Sequence, residues 1–208
     1  LNLLDLRSSS VVAQVEVSPR NPIIPADAAM SPPALLSHAA FSPSGLLATV
    51  DEWSDPSLDL AEATLRLWEW DATEKRFAPQ MIARDPHVAP PHTKRGAQIG
   101  ALAVRPDGLA VATAAEGSGE WKMWAKGRKG WKCVAERHFR GLPATAATFS
   151  ADSSVLALSF GPLVSLWDAN PPYALLSQLA APGPSTSHVT SLGFVDAQHL
   201  VVASDRQV

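Results

Sequence analysis

Three stretches of the chain carry the same layout, and that repetition limits the fold more than any single motif does. HAAFSPSGLLATV from His38 leads to LRLWEWD, which ends at Asp71. ALAVRPDGLAVATA from Ala101 leads to EWKMW, ending at Trp124. ATFSADSSVLALSF from Ala147 leads to LVSLWD, ending at Asp168, and a fourth copy opens with SLGFVDAQHLVVASD from Ser191. Each reads as a strand, a turn (SPSG, RPDG or SADS), a second strand and a third strand that closes on tryptophan. Proline presets φ in such turns, while Asp, Ser and Gly accept the remaining angles. The turn-flanking residues Phe41, Val104, Phe149 and Phe194 are separated by 63, 45 and 45 residues, and Trp68, Trp124 and Trp167 by 56 and 43. A fourth strand is predicted after each tryptophan, over 77–83, 131–137 and 174–179.

A unit of about 40–45 residues with four strands is the WD40 blade. The predicted fold is therefore all-β: part of a WD40-type β-propeller, with about three whole blades and parts of two flanking ones. Residues 1–17 read as the end of a blade, 34–84 as a blade with insertions, 97–140 and 143–180 as further blades, and 188–208 as the start of another. The long first interval needs insertions, and 54–63 and 85–95 supply them. The Gly-His pair expected before the first strand is missing throughout, and Trp-Asp survives only at Trp167–Asp168. Eighteen prolines and twelve glycines argue against long helices. A propeller closes with four to eight blades, so the sequence reads as a piece of a longer chain.

Bulk properties narrow the function mainly by what they fail to support. The formal net charge of −3 singles out neither nucleic acid nor membrane, and no apolar run approaches the ~20 residues that cross a bilayer. One cysteine, Cys133, allows no internal disulfide, which fits a reducing compartment. Next to Lys132 its pKa is expected to fall slightly, and as a strand residue it reads as a small core side chain. His87 and His92 flank two prolines with no cysteine near them, a poor start for a zinc site. Asp51, Asp55 and Asp59 lack the alternate spacing and the glycine of a calcium loop, so the acidic stretch 51–74 reads as a solvated insertion. No nucleophile elbow, phosphate loop or dinucleotide fingerprint occurs, so neither catalysis nor a cofactor has support.

Two features suggest binding. Trp68, Trp124 and Trp167 could form an aromatic cage for a methylated lysine, but one per repeat at a fixed position points to packing between blades. Trp121 and Trp131 are off that register and are candidates for surface anchors of a partner. Across 120–140, seven basic residues face two acidic ones. Lys126, Arg128 and Lys129 fall in the turn between third and fourth strands, with Lys132 close behind. They are candidates for phosphate or partner contact, against the plainer reading of a solvated hairpin turn.

EWKMW, GWKC and ATFSADSSVLALSFGPLVSLWD occur in that order, and with FSPSGLLATVDEW and VEVSPRNP they resemble the WD-repeat protein 75 family, the small nucleolar RNA-associated protein 17 of fungi. The resemblance covers roughly half the chain. It implies a non-catalytic nucleolar subunit of the UtpA (t-UTP) module of the small-subunit processome, with tandem propellers of which this segment belongs to the second. Its implied partners are the other UtpA subunits and pre-ribosomal RNA, through the 5′ leader, early 18S processing and rDNA transcription. The alternative is an unrelated WD40 adaptor in ubiquitin ligation or trafficking.

Overall fold

The computed structural model describes residues 1–17, 34–55, 60–88, 97–181 and 188–205, all as strands, turns and irregular chain. Strands β3 (Leu35–Phe41), β4 (Leu46–Asp55), β5 (Leu60–Asp71) and β6 (Arg76–Arg84) form one four-stranded sheet. β7 (Ile99–Val104) to β10 (Gly130–His138), through β8 (Ala110–Ala115) and β9 (Glu120–Gly127), form the second. β11 (Ala144–Phe149), β12 (Val155–Phe160), β13 (Leu163–Asp168) and β14 (Leu175–Ala180) form the third. Two-stranded sheets flank them: β1 (Asn2–Asp5) with β2 (Ser10–Gln14), and β15 (Val189–Phe194) with β16 (Leu200–Ser204). Every pairing is antiparallel between sequence neighbours. Among the described residues three whole blades and two half-blades are thus present, as the repeat predicts.

The blades stack through three apolar layers, and each layer contains the repeat tryptophan of one blade. Trp68 packs with Ala13, Val15 and Phe77 between the first half-blade and the first whole blade. Trp124 packs with Val50, Leu65 and Leu67 between the first and second. Trp167 packs with Trp121, Met123 and Phe139 between the second and third. The indoles lie in separate layers, which removes the aromatic cage. All six residues of β8, AVATAA, are buried. Alanine suits this strand because radiating blades leave little width between them near the axis. The outermost β14 is exposed along its whole length.

The first strands β3, β7, β11 and β15 lie beside one another along the axis, and each carries a bulge at the same place. The pairing with the second strand skips one residue, at Ser37, Gly100, Thr145 and Thr190. A bulge bends its strand and re-aims the residue involved. Here it turns each blade's first strand toward the carbonyl just before the next blade's bulge. His38 Nε2 lies 2.7 Å from Ile99 O, Thr145 Oγ1 donates to Val189 O at 2.5 Å, and Gly100 faces Ala144 O. At that last junction the backbones approach closely: a Cβ on Gly100 would sit 2.0 Å from Ala144 O.

The turns between first and second strands also follow one plan. Gly45, Gly108 and Ser153 donate their N–H groups to the carbonyls of Ser42, Arg105 and Ser150, and all three adopt positive φ. The predicted insertion at 54–63 is partly strand, because β4 runs to Asp55 and β5 resumes at Leu60 in continuous register. That blade therefore projects one hairpin beyond the others. Replacing Gly100 with alanine is expected to destabilise the protein by about 1–3 kcal/mol, the usual cost of forcing a methyl into a packed contact. A lowered midpoint in chemical denaturation checks it.

Candidate interaction surface

Antiparallel order puts the turns between first and second strands, and those between third and fourth, on one face of the propeller. The second–third hairpins and the inter-blade connections fall on the other. The basic cluster predicted from sequence belongs to the first face. β9 and β10 are joined at Gly127 and Gly130, so Arg128 and Lys129 form a tight two-residue turn. Glycine at 130, with φ +103°, accepts the backbone that such a hairpin needs.

Arg128, Lys129 and Lys132 are exposed and have no acidic partner among the described residues. Lys126 differs. Its Nζ lies 2.6 Å from Glu69 Oε1 of the preceding blade, so it ties two blades together. Trp121 is corrected: its side chain is fully buried, stacked edge-on against Trp167 with centroids 4.9 Å apart. It anchors blade to blade rather than the protein to a partner. Trp131 is half-buried against the layer around Trp124, with its indole nitrogen buried. It backs the hairpin that carries Arg128 and Lys129. Cys133 is exposed, not a core residue, and partial burial pushes its thiol pKa up rather than down.

Beside Phe41, Phe77 and Trp70, the same face holds a cavity of about 570 Å³. Phe77 meets both other rings edge-on, at 6.2 and 5.2 Å between centroids. Leu109 and Lys126 of the second blade close its far side, and Val12 of the half-blade its near side. Two carboxylates are in the lining, and each is already paired: Glu69 with Lys126, Asp107 with Arg105 at 2.9 Å.

The opposite face carries a buried polar network in the second blade. Trp124 Nε1 donates to Thr113 Oγ1 at 2.9 Å, and His87 Nε2 lies 2.9 Å from the same oxygen. His87 Nδ1 is 3.3 Å from Glu120 Oε2, and Val88 N–H donates to that oxygen at 3.3 Å. A proton on Nδ1, beside the carboxylate, leaves Nε2 to accept from the Thr113 hydroxyl. One ordering then runs from indole to carboxylate. Lys122 Nζ bridges Glu120 at 2.9 Å and Glu136 at 3.2 Å. Glu120, Glu136 and His138 are close enough to share a metal ion, but the Lys122 ammonium already sits between the two carboxylates. His87, which belongs to the insertion 85–95, thus joins the second and third strands of this blade. His92 and Asp59 lie outside the described residues. Asp51, expected in a solvated stretch, is buried and paired with Arg66.

Residues 31–207 match the family model of the second β-propeller of WD repeat-containing protein 75. The chain belongs to the WD repeat-containing protein 75 family. It is 29% identical over 142 residues to WD repeat-containing protein 75 of Danio rerio, which covers 65% of this chain and 16% of that protein. Among solved structures, a chain from the complex of KlAtg21 with the coiled-coil of AgAtg16 superposes with a TM-score of 0.55. It covers 80% of this chain and 49% of that one at 15% identity, a likeness of fold alone.

Burial by itself would raise the Glu120 pKa, but hydrogen bonds from His87 and Lys122 outweigh it and hold the carboxyl at about 2. A carboxyl depressed by folding contributes stability that is complete above its unfolded value, near 4.5, and is lost as pH falls toward 2. Glu120→Gln is therefore expected to destabilise this WD repeat-containing protein 75 family member at neutral pH. The gap to the parent protein should narrow through that window, as read by denaturation midpoints at several pH values.

Proposed function

We propose that the chain is part of a non-catalytic scaffold in ribosome biogenesis, a nucleolar subunit of the UtpA module of the small-subunit processome. The match of residues 31–207 to the second propeller of WD repeat-containing protein 75 carries this reading. The proposed role is to support the module's hold on the pre-ribosomal 5′ leader, early 18S processing and rDNA transcription. Residues 1–17 close a blade of the same propeller, since Ala13, Val15 and Val17 pack on Trp68 as one blade packs on the next. The buried charges described above support a structural rather than a chemical role, because each is engaged by an opposite charge. Partners are met on the outer surface, where Arg128, Lys129 and Lys132 present cations that no described residue pairs.

The test is purification of the tagged full-length protein, with mass spectrometry of the proteins and sequencing of the RNA recovered. Recovery of other UtpA subunits with 5′ leader RNA is the expected result. Ubiquitin-ligase or coat components without that RNA would instead make it an adaptor of another pathway. Combined substitution of Arg128 and Lys129 by glutamate should reduce recovery of at least one partner at unchanged thermal stability. Full recovery would sink the role of this hairpin.

A further inference from the structure

The cavity beside Phe41, Phe77 and Trp70 and the cationic hairpin lie on one face, and Lys126 belongs to both. Three large apolar side chains at this place stay in contact with solvent: Phe41 at 52%, Leu109 at 48% and Trp70 at 36%. Such a concentration of exposed apolar surface marks a contact site more often than a single exposed residue does. The walls are rigid, because the Ser42 and Arg105 turns that frame the cavity interlock: a Cβ on Gly108 would fall 2.0 Å from Ser44 Oγ.

We propose that this groove docks a short segment of a partner protein in which an apolar side chain is flanked by acidic residues. The apolar side chain seats against the Phe41–Phe77–Trp70 cluster and Leu109. The carboxylates meet Arg128 and Lys129, the cations that no described residue of this chain neutralises. Charge decides the sign of the partner, since Glu69 and Asp107 are both engaged and leave the hairpin in excess. Shape decides between protein and RNA. Around the Phe41, Phe77 and Trp70 rings, Leu3, Val12, Leu46 and Leu109 add aliphatic walls, which suit branched apolar side chains better than flat bases. A volume of about 570 Å³ fits a pair of side chains, not a folded domain.

The inference rests on the reading of Arg128 and Lys129 as contact residues and adds the groove and the partner's chemistry. Fluorescence anisotropy on the full-length protein tests it with three probes. They are a labelled peptide with a central Leu-Phe pair between Asp and Glu residues, the same peptide with Ala-Ala at its centre, and an oligouridylate of equal length. The Leu-Phe peptide should bind, with affinity falling about tenfold on Leu109→Glu, on Arg128→Glu and on the Ala-Ala exchange, each worth about 1.4 kcal/mol. Both substituted residues are exposed, so thermal midpoints should stay at the parent value. No binding, equal binding of the two peptides, or displacement by oligouridylate would overturn the proposal. Loss on Arg128→Glu with no effect of Leu109→Glu would leave the hairpin as a contact and remove the groove.

Discussion

The fold depends on the indole N–H of each repeat tryptophan, which enters the interior with its ring and meets an acceptor without breaking the sheet around it. Packing a tryptophan between blades removes a large apolar surface from water, but its N–H goes with it, and an unmet buried donor costs about 1–3 kcal/mol. In the first two whole blades a threonine on the second strand meets it: Thr49 for Trp68 and Thr113 for Trp124, each at 2.9 Å. In the third blade that position is Leu158, and the hydroxyl has moved across the strand pair to Ser165, which accepts from Trp167 at 2.8 Å. The residue changes strand while the interaction persists. That is how a repeat keeps its structure after its letters have drifted.

The exchange has consequences for the rest of each blade. Where threonine holds the second strand, the cross-strand position is free for a cation, Arg66 opposite Thr49 and Lys122 opposite Thr113. Each cation then needs a carboxylate in the same buried setting, and finds Asp51 and Glu120 respectively. In the third blade Ser165 occupies that cation position. Removing one member of such a pair strands the other as an uncompensated buried charge, so losing one alone costs more than losing both. The buried charges of this chain are thus a by-product of satisfying tryptophan.

How much the sequence disclosed follows from the range over which each interaction acts. Strand order, turns and blade number were legible because hairpins are local and their spacing is written in Phe41, Val104, Phe149 and Phe194. The bulges at Ser37, Gly100, Thr145 and Thr190 recur with the same 63, 45 and 45 separations. They could have been found by aligning the small residue four positions ahead of each of those markers. His87 could not, because an insertion separates it from the strand it serves and its partners are Thr113 and Glu120. The misreading of Trp121 has a similar cause. It stands off the register of the repeat tryptophans, three residues before Trp124, whereas a strand inside a propeller blade is covered on both faces. The groove was invisible for a further reason: Phe41, Trp70 and Leu109 come from three hairpins in two blades, and no local pattern unites them.

A rigid arc of sheets with both faces of each central strand covered leaves little of its own surface free to vary. What remains are turn tips and the fourth strands: Arg128 and Lys129 sit at a turn tip, and Leu175, Leu176 and Leu179 are exposed along a fourth strand. The hairpin at Arg128–Lys129 is held by Trp131 packing behind it and by the Lys126–Glu69 pair beside it. Its backbone is therefore held in place, and only the side chains of Arg128 and Lys129 are left to be ordered when a partner arrives. A surface made this way recognises by position, and a scaffold needs no moving part to do so.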